Sequence, residues 1–332
     1  MLNNIFRLIS QRLVFYISFF LYYVHIQVIC VVMKSVTVLL GGCGKEREVS
    51  LNSGNATLSA LNELGFLTST IDLPSDLNGL ITQLKETKPD VVFNCLHGPI
   101  GEDGTVQGIL NKLNIPYTHS GVLASTNAMD KWTSYQIFKN NNIPTPETVK
   151  INLANTAKCP ITYPCMAKPI NEGSSVGIKI ISSDSEWKKL QQEWTFGNEC
   201  IIQEYLKQRE IHVAVLDGVS LGTIEICPKE NFSFFSYQAK YVPGESKFLC
   251  PAPINIDMEN LAKETALKTY KAIGCRGLAR VDMMFDGHIF SVLELNTQPG
   301  FTATSLAPQI AKSQGISFAE LVKRMVASAK CD

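Results

Sequence analysis

The chain has 332 residues, enough for two or three packed units. Its 30 basic and 30 acidic residues balance to zero net charge; phosphate-backbone binding needs a basic excess on one face, so nucleic acid is not an expected partner. The ten cysteines are scattered with no C-x-x-C pair, which argues against a zinc site or a dithiol redox motif. A chain of this size needs no disulfide framework, so free thiols in a reducing cytoplasm are expected.

Leu13–Val32 reads LVFYISFFLYYVHIQVICVV behind Arg7 and Arg12, long enough to span a bilayer. Three readings compete: a membrane anchor, a buried extra element, or translated upstream sequence that the native protein lacks. Met33 directly precedes Lys34-Ser35-Val36-Thr37-Val38-Leu39-Leu40, a good first strand, and this favours the third. Residues 1–33 are therefore read as an extension outside the fold.

Beyond it, strands and helices alternate. Val36–Leu40 is a strand ending in Gly41-Gly42, Val49–Leu64 has helical apolar spacing stopped by Gly65, and Val91–Cys95 is a second short strand. Such alternation implies a parallel sheet with binding loops at the strands' C-terminal ends. Gly41-Gly42-Cys43-Gly44-Lys45 is not a phosphate-binding P-loop, because Glu46 follows the lysine and Leu39 stands at the first glycine position. Glu46-Arg47-Glu48 instead puts carboxylates at a helix start, where they complement the dipole and can face a ligand amine. A lone histidine such as His97 is more often structural, but its place at a strand's C-terminal end raises its claim to a site.

Asn140–Pro146 is a turn-rich break. Strand patterns follow at Cys165–Pro169, Val176–Ile181, Cys200–Glu204, Gly277–Phe285 and His288–Leu295. Gly173-Ser174-Ser175-Val176-Gly177 fits G-x-S-x-G, but a nucleophile elbow needs a helix directly after the serine and a strand pattern follows here, which excludes a serine hydrolase. A small-residue loop with Lys168 before it suits covering a triphosphate.

Arg280 and Asp282, like Glu294 and Asn296, lie two apart in strands and share a face. Hard oxygen donors of this kind suit Mg²⁺; a surface salt bridge is the competing reading, disfavoured by the apolar flanks. Asp286-Gly287 suggests a two-residue turn, which would put Glu294 on the face away from Asp282. A three-residue loop, Asp286-Gly287-His288, restores the shared face, with Asp282 opposite Val292 and Arg280 opposite Glu294. It also gathers Val281, Met283, Phe285, Ile289, Leu293 and Leu295 on an apolar face. An odd-length loop is the expectation.

The segments LLGGCGKEREVSLNSG, LHGPIGEDGTVQG, MDKWTS, AKPINEGSSVG, AKYVPG, GLARVDMMF and LELNTQPGFTATS, in this order, resemble the D-alanine–D-alanine ligases of the ATP-grasp superfamily. The resemblance runs from about Lys34 to the C-terminus. It implies an α/β fold: a Rossmann-like domain over 34–120, then a two-lobed ATP-grasp fold with a central lobe over 121–203 and a C-terminal lobe over 204–332. It implies ATP-dependent joining of two D-alanines through an acyl phosphate, for peptidoglycan precursors, with two Mg²⁺ or Mn²⁺. By matching position, Glu46 resembles the group holding the first ammonium, with Ser174 and Tyr241 as hydrogen-bonded partners and His97 nearby. Lys131, Lys168 and Lys240 resemble phosphate contacts, Glu204 and Leu206 adenine contacts, and Glu210 the ribose contact. Arg280 and the Gly300 backbone resemble the stabilisers of the tetrahedral intermediate, Ser305 and Leu306 the seat of the second carboxylate, and Asp282, Glu294 and Asn296 the metal ligands. A cytoplasmic homodimer, with no nucleic acid and no membrane partner for the core, completes the implication.

Two departures stand out: Cys43-Gly44-Lys45 in the first loop, and Gln298 where serine is frequent. A glutathione synthetase-like ATP-grasp ligase would lack Glu46-Arg47-Glu48-Val49-Ser50, a D-alanine–D-lactate ligase would replace Tyr241, and a membrane-tethered module without catalysis would lack Arg280 and the metal ligands.

Overall fold

The computed structural model describes residues 34–44, 46–74, 76–229 and 246–332. The extension over 1–33, Lys240 and Tyr241 lie outside the described residues. The first unit is a parallel sheet ordered β2-β1-β3, from β1 (Ser35–Leu40), β2 (Leu67–Asp72) and β3 (Val91–Asn94). The middle strand β1, SVTVLL, is covered on both faces and is buried from Val36 to Leu40, Thr37 included. Helix α1 (Arg47–Glu63) ends before Gly65, whose φ of +81° supplies the left-handed stop. The sequence pattern does not single out β2, α2 (Leu77–Thr87) or α3 (Thr105–Lys112), which complete the unit.

Helices α4 (Val122–Met129) and α5 (Lys131–Asn140) follow; Asp130 caps α5 by accepting from Thr133 N at 2.7 Å. A four-stranded antiparallel sheet, β4-β7-β5-β6, comes from β4 (Thr148–Asn152), β5 (Cys165–Lys168), β6 (Lys179–Ile181) and β7 (Glu199–Glu204). Helix α6 (Asp184–Glu193) buries Trp187 and Leu190 against it. A five-stranded antiparallel sheet, β10-β9-β8-β11-β12, comes from β8 (Arg209–Leu216), β9 (Val219–Pro228), β10 (Ser246–Leu249), β11 (Leu278–Phe285) and β12 (Phe290–Asn296). Helix α7 (Ile256–Ile273) buries Ala262, Ala266 and Tyr270 against Val213, Val281 and Val292 of this sheet. Helices α8 (Leu306–Ser313) and α9 (Phe318–Ser328) then return to the first unit, where Leu321, Val322 and Met325 share a core with Val36, Val38 and Leu61. Among the described residues, no helix is long and apolar enough to cross a membrane.

The β11–β12 hairpin corrects the sequence expectation. Phe285 pairs with Phe290, so the loop is Asp286–Ile289, of even length. Asp286 holds it by accepting from His288 N and Ile289 N, both at 2.7 Å. An even loop alone would turn Glu294 away from Asp282, but the register shifts between Asp282 and Met283, which leaves Leu293 as an extra residue on β12. This bulge restores the shared face: Asp282 stands opposite Glu294 rather than Val292, and Arg280 opposite Asn296 rather than Glu294. The even loop places Phe290 and Val292 in the core and leaves Ile289 50% exposed, and the bulge then brings Leu295 to the same core.

Arg276 fastens the C-terminal unit to the first. It donates to the carbonyls of Tyr117 (3.1 Å), His119 (2.7 Å) and Lys330 (2.7 Å), and its guanidinium lies 4.5 Å from the Tyr117 ring centroid. Arg276→Ala strips three carbonyls of a charged donor and should lower the unfolding free energy by about 3 kcal/mol. A urea unfolding curve measures this as a lower midpoint.

Candidate active site

A cavity of about 320 Å³ opens between the start of α1, the loop after β3, the turn after β5 and the segment after β12. Its lining brings together Glu46, His97, Ser174, Arg280, Asn296, Gly300, Ser305 and Leu306, eight positions singled out in the sequence. Glu46 is the N-cap residue of α1 and accepts a hydrogen bond from Ser174 Oγ. The carboxylate is flanked by two glycines: a Cβ at Gly98 would lie 3.0 Å from its Oε2, and one at Gly173 3.3 Å away. Close approach of backbone to this carboxylate explains glycine at both places.

Ser174 and Ser175 adopt left-handed φ values of 48° and 59°, inside a turn over 174–177. The expected strand from Val176 is thereby shortened to Lys179–Ile181. No helix follows Ser174, in keeping with the exclusion of a hydrolase elbow.

His97 Nδ1 lies 3.3 Å from Glu102 Oε1, and its Nε2 lies 3.4 Å from Ser53 Oγ. Glu102 also accepts from Gly98 N at 3.1 Å, and Ser53 Oγ accepts from Phe301 N at 3.2 Å. Gln298, one of the two departures, is buried, accepts from Asn94 Nδ2 at 2.7 Å and donates to Leu96 O. These bonds tie β3 and α1 to the segment carrying Gly300. Below it, Phe301 packs beside Phe93, Phe318 and the edge of His119. His119 is fully buried with no partner at Nε2 among the described residues; burial, helped by the nearby His97 and Arg276, pushes its pKa down to about 3.

A second cluster extends from the cavity toward the four-stranded sheet. Asp282 is 3% exposed and is met by Arg280 in a bidentate pair, at 2.7 and 2.8 Å, and by Asn296 Nδ2 at 3.0 Å. Glu294 Oε2 lies 4.0 Å from Lys131 Nζ, which also donates to Glu172 O. Buried Lys168 donates to Gln203 Oε1 at 2.6 Å and lines, with Lys131 and Leu293, a narrow gap between the two antiparallel sheets. Glu210 accepts from, or pairs with, His212 at 2.8 Å. Glu204, exposed at the end of β7, and Leu206 just beyond it line neither cavity.

Sequence reasoning missed Ser53, Glu102, Gln298 and His212 as members of this network. Glu102 and His212 carried a signal, one in a glycine-spaced polar loop and one two residues from Glu210 on a strand. Ser53 and Gln298 depend on contacts across units.

Two antiparallel sheets facing each other across Lys131, Lys168 and acidic oxygens, with a Rossmann-like unit alongside, define an ATP-grasp ligase. Comparison with known proteins narrows this. Residues 132–327 match the family model described as D-ala D-ala ligase C-terminus, and 75–120 that described as D-ala D-ala ligase N-terminus. The D-alanine–D-alanine ligase of Rhodospirillum rubrum is 42% identical over 301 residues, covering 90% of this chain and 99% of that protein. That of Paramagnetospirillum magneticum is 44% identical over 307 residues, covering 90% and 99%. The crystal structure of D-alanine–D-alanine ligase from Bacillus anthracis complexed with ATP superposes with a TM-score of 0.78 at 30% identity, covering 89% of this chain and 97% of that one. The VanG D-Ala:D-Ser ligase of Enterococcus faecalis gives 0.75 at 28% identity, covering 89% and 98%. The chain belongs to the D-alanine–D-alanine ligase family.

The buried His119 sets a pH dependence of stability. Native His119 resists protonation down to about pH 3, whereas an ordinary histidine titrates near 6.5. Between these values the unfolded state binds the additional proton, so stability falls as pH drops below 6.5, by about 1.4 kcal/mol per pH unit from this group. His119→Asn should lose less stability than the parent between pH 7 and pH 5, as read from urea midpoints at the two pH values.

Proposed function

We propose that the protein joins two D-alanines into D-alanyl-D-alanine, with ATP converted to ADP and phosphate, in the making of peptidoglycan precursors. The observation that carries this reading is the Glu46 carboxylate, seated between Gly98 and Gly173 and met by Ser174, in the same cavity as Arg280 and Gly300. A carboxylate so placed suits an ammonium, and the arginine and backbone amide suit an oxyanion.

In this reading Glu46 holds the ammonium of the first D-alanine, with Ser174, Tyr241 and His97 beside it. A carboxylate oxygen of that D-alanine attacks the terminal phosphorus of ATP, and ADP leaves. Lys131, Lys168 and Lys240 neutralise the phosphates, Glu204 and Leu206 meet the adenine, and Glu210 meets the ribose. The amine of the second D-alanine, its carboxylate seated at Ser305 and Leu306 at the start of α8, attacks the acyl phosphate carbonyl. Arg280 and the Gly300 amide stabilise the tetrahedral oxyanion; the amine sheds a proton and phosphate departs. Water must be kept out while the acyl phosphate exists, a role for the 174–177 turn anchored on Glu46.

The donor set fits hard divalent cations. Asp282 and Glu294 face each other across β11 and β12, and Asn296, whose Nδ2 donates to Asp282, offers its amide oxygen. Among the described residues no group of three or more His, Cys, Asp or Glu side chains is placed to hold a metal ion, and the set here is two carboxylates and one amide. When bound, two Mg²⁺ or Mn²⁺ neutralise charge on the transferring phosphoryl group.

We assign 34–120 to a substrate-binding Rossmann-like domain, 121–203 to the central lobe and 204–332 to the C-terminal lobe. We also infer a cytoplasmic homodimer that needs no nucleic acid or membrane for its core. Free cysteines among the described residues fit a reducing compartment.

ADP formation with D-alanine, L-alanine and D-lactate offered separately tests the assignment. D-alanine alone should sustain turnover with L-alanine inert; equal rates with L-alanine would overturn it. Glu46→Gln removes a charge-assisted contact and should raise the half-saturating D-alanine concentration about 10- to 100-fold. Asp282→Asn should raise the Mg²⁺ needed for half-maximal activity about 10-fold or more, measured by Mg²⁺ titration at fixed ATP.

A further inference from the structure

His212 has no exposed side-chain surface and stands between two carboxylates. Its Nε2 is 2.8 Å from Glu210 Oε1, and its Nδ1 is 3.1 Å from Asp282 Oδ1. Strand geometry makes this arrangement specific. Glu210 and His212 are two apart on β8 and share a face. His212 pairs directly with Asp282 on β11, and Asp282 in turn with Glu294 on β12. The polar face of these three strands thus runs Glu210, His212, Asp282, Arg280, Asn296 and Glu294. The other face of β8 carries Ile211, Val213 and Val215 into the core under α7. Ala214, opposite Arg280, leaves room for the guanidinium to fold back onto Asp282.

An apolar core gains nothing from an imidazole in this place, since burying polar groups is costly unless they are matched. The ring has one property that amide side chains lack. Its two nitrogens sit on different edges, so one side chain lies within 3.1 Å of two carboxylates at once. Carboxylates that hold a metal are themselves commonly oriented by neighbouring groups, and loss of such a neighbour typically costs about 10- to 100-fold in metal affinity or activity.

We propose that His212 is a positioning residue that ties the nucleotide-contacting Glu210 to the metal-contacting Asp282, so that nucleotide and divalent cation strengthen each other's binding. This rests on the roles given above to Glu210 and Asp282. Occupation of one carboxylate fixes the ring, and the fixed ring holds the other carboxylate in place. The coupling is reciprocal, as linkage requires.

The two amide replacements separate its halves. An asparagine places its nitrogen near the histidine Nδ1 and keeps the reach to Asp282; a glutamine places its nitrogen near Nε2 and keeps the reach to Glu210. Calorimetric titration of ADP into the full chain, with Mg²⁺ and with chelator, gives both affinities and the factor by which Mg²⁺ tightens ADP. His212→Asn should weaken ADP binding in chelator and leave the Mg²⁺ midpoint unchanged. His212→Gln should raise the Mg²⁺ midpoint about 10-fold and leave chelator ADP binding unchanged. Both should reduce the Mg²⁺ enhancement, with kcat at saturating ATP and Mg²⁺ retained and KM shifted. An unchanged enhancement in the variants, or equal weakening of both bindings in both, overturns the proposal. If one variant fails to fold by thermal unfolding, the other decides. Glu210→Gln and Asp282→Asn serve as controls. If these shift ADP and Mg²⁺ binding while the His212 variants do not, the coupling role fails alone; if the controls shift neither, the site assignment itself fails.

Discussion

A carboxylate buried to 3% exposure is expensive unless every oxygen is met, and Asp282 is where this chain bears that cost. Arg280 on its own strand and Asn296 on β12 donate to it, and His212 Nδ1 on β8 lies 3.1 Å from its Oδ1. Such convergence requires polar side chains on all three strands to point the same way. A bulge at Leu293 makes that possible by correcting a loop whose length would otherwise turn Glu294 and Asn296 into the core. The same bulge turns Leu295 toward the packing under α7, where the even loop already places Phe290 and Val292. One extra residue on β12 thus serves both the site and the core.

The cavity is built from separate units joined by a few polar bonds. Glu46 and His97 come from the parallel-sheet unit, while Arg280, Gly300 and Ser305 come from the C-terminal part of the chain. Gln298 to Asn94 and Leu96, and Ser53 to Phe301, cross between them in buried surroundings. Hydrogen bonds of this kind add modest stability but fix position closely, because breaking one strands a buried partner. Gln298, where the family often has serine, is long enough to reach β3 directly.

Much of this was legible in the sequence. Apolar runs marked β1, β3, β7 and β11, and strand parity predicted that Arg280 and Asp282 would share a face, as their bidentate pair shows. The ordered motifs pointed to the family to which the chain belongs. Other features were silent. The bulge at Leu293 has no local signature, since any residue can be the extra one. β2 reads LTSTID and buries Ile71 alone, so hydrophobic patterning does not mark it. The turn at Ser174–Gly177 uses two left-handed serines, which propensity rules disfavour; the partner of Ser174, Glu46, lies 128 residues away.

The last helix bears on how the molecule is made. Leu321, Val322, Met325 and Val326 of α9 complete the core that contains Val36, Val38 and Leu61, and Asp332 reaches Tyr117 across 215 residues. A ribosome delivers the parallel sheet first and its apolar cover last. Throughout synthesis of the two antiparallel sheets, one side of the first unit stays wet. Vectorial folding therefore cannot finish domain by domain here, and a nascent chain paused before α9 presents the greasy surface that chaperones bind.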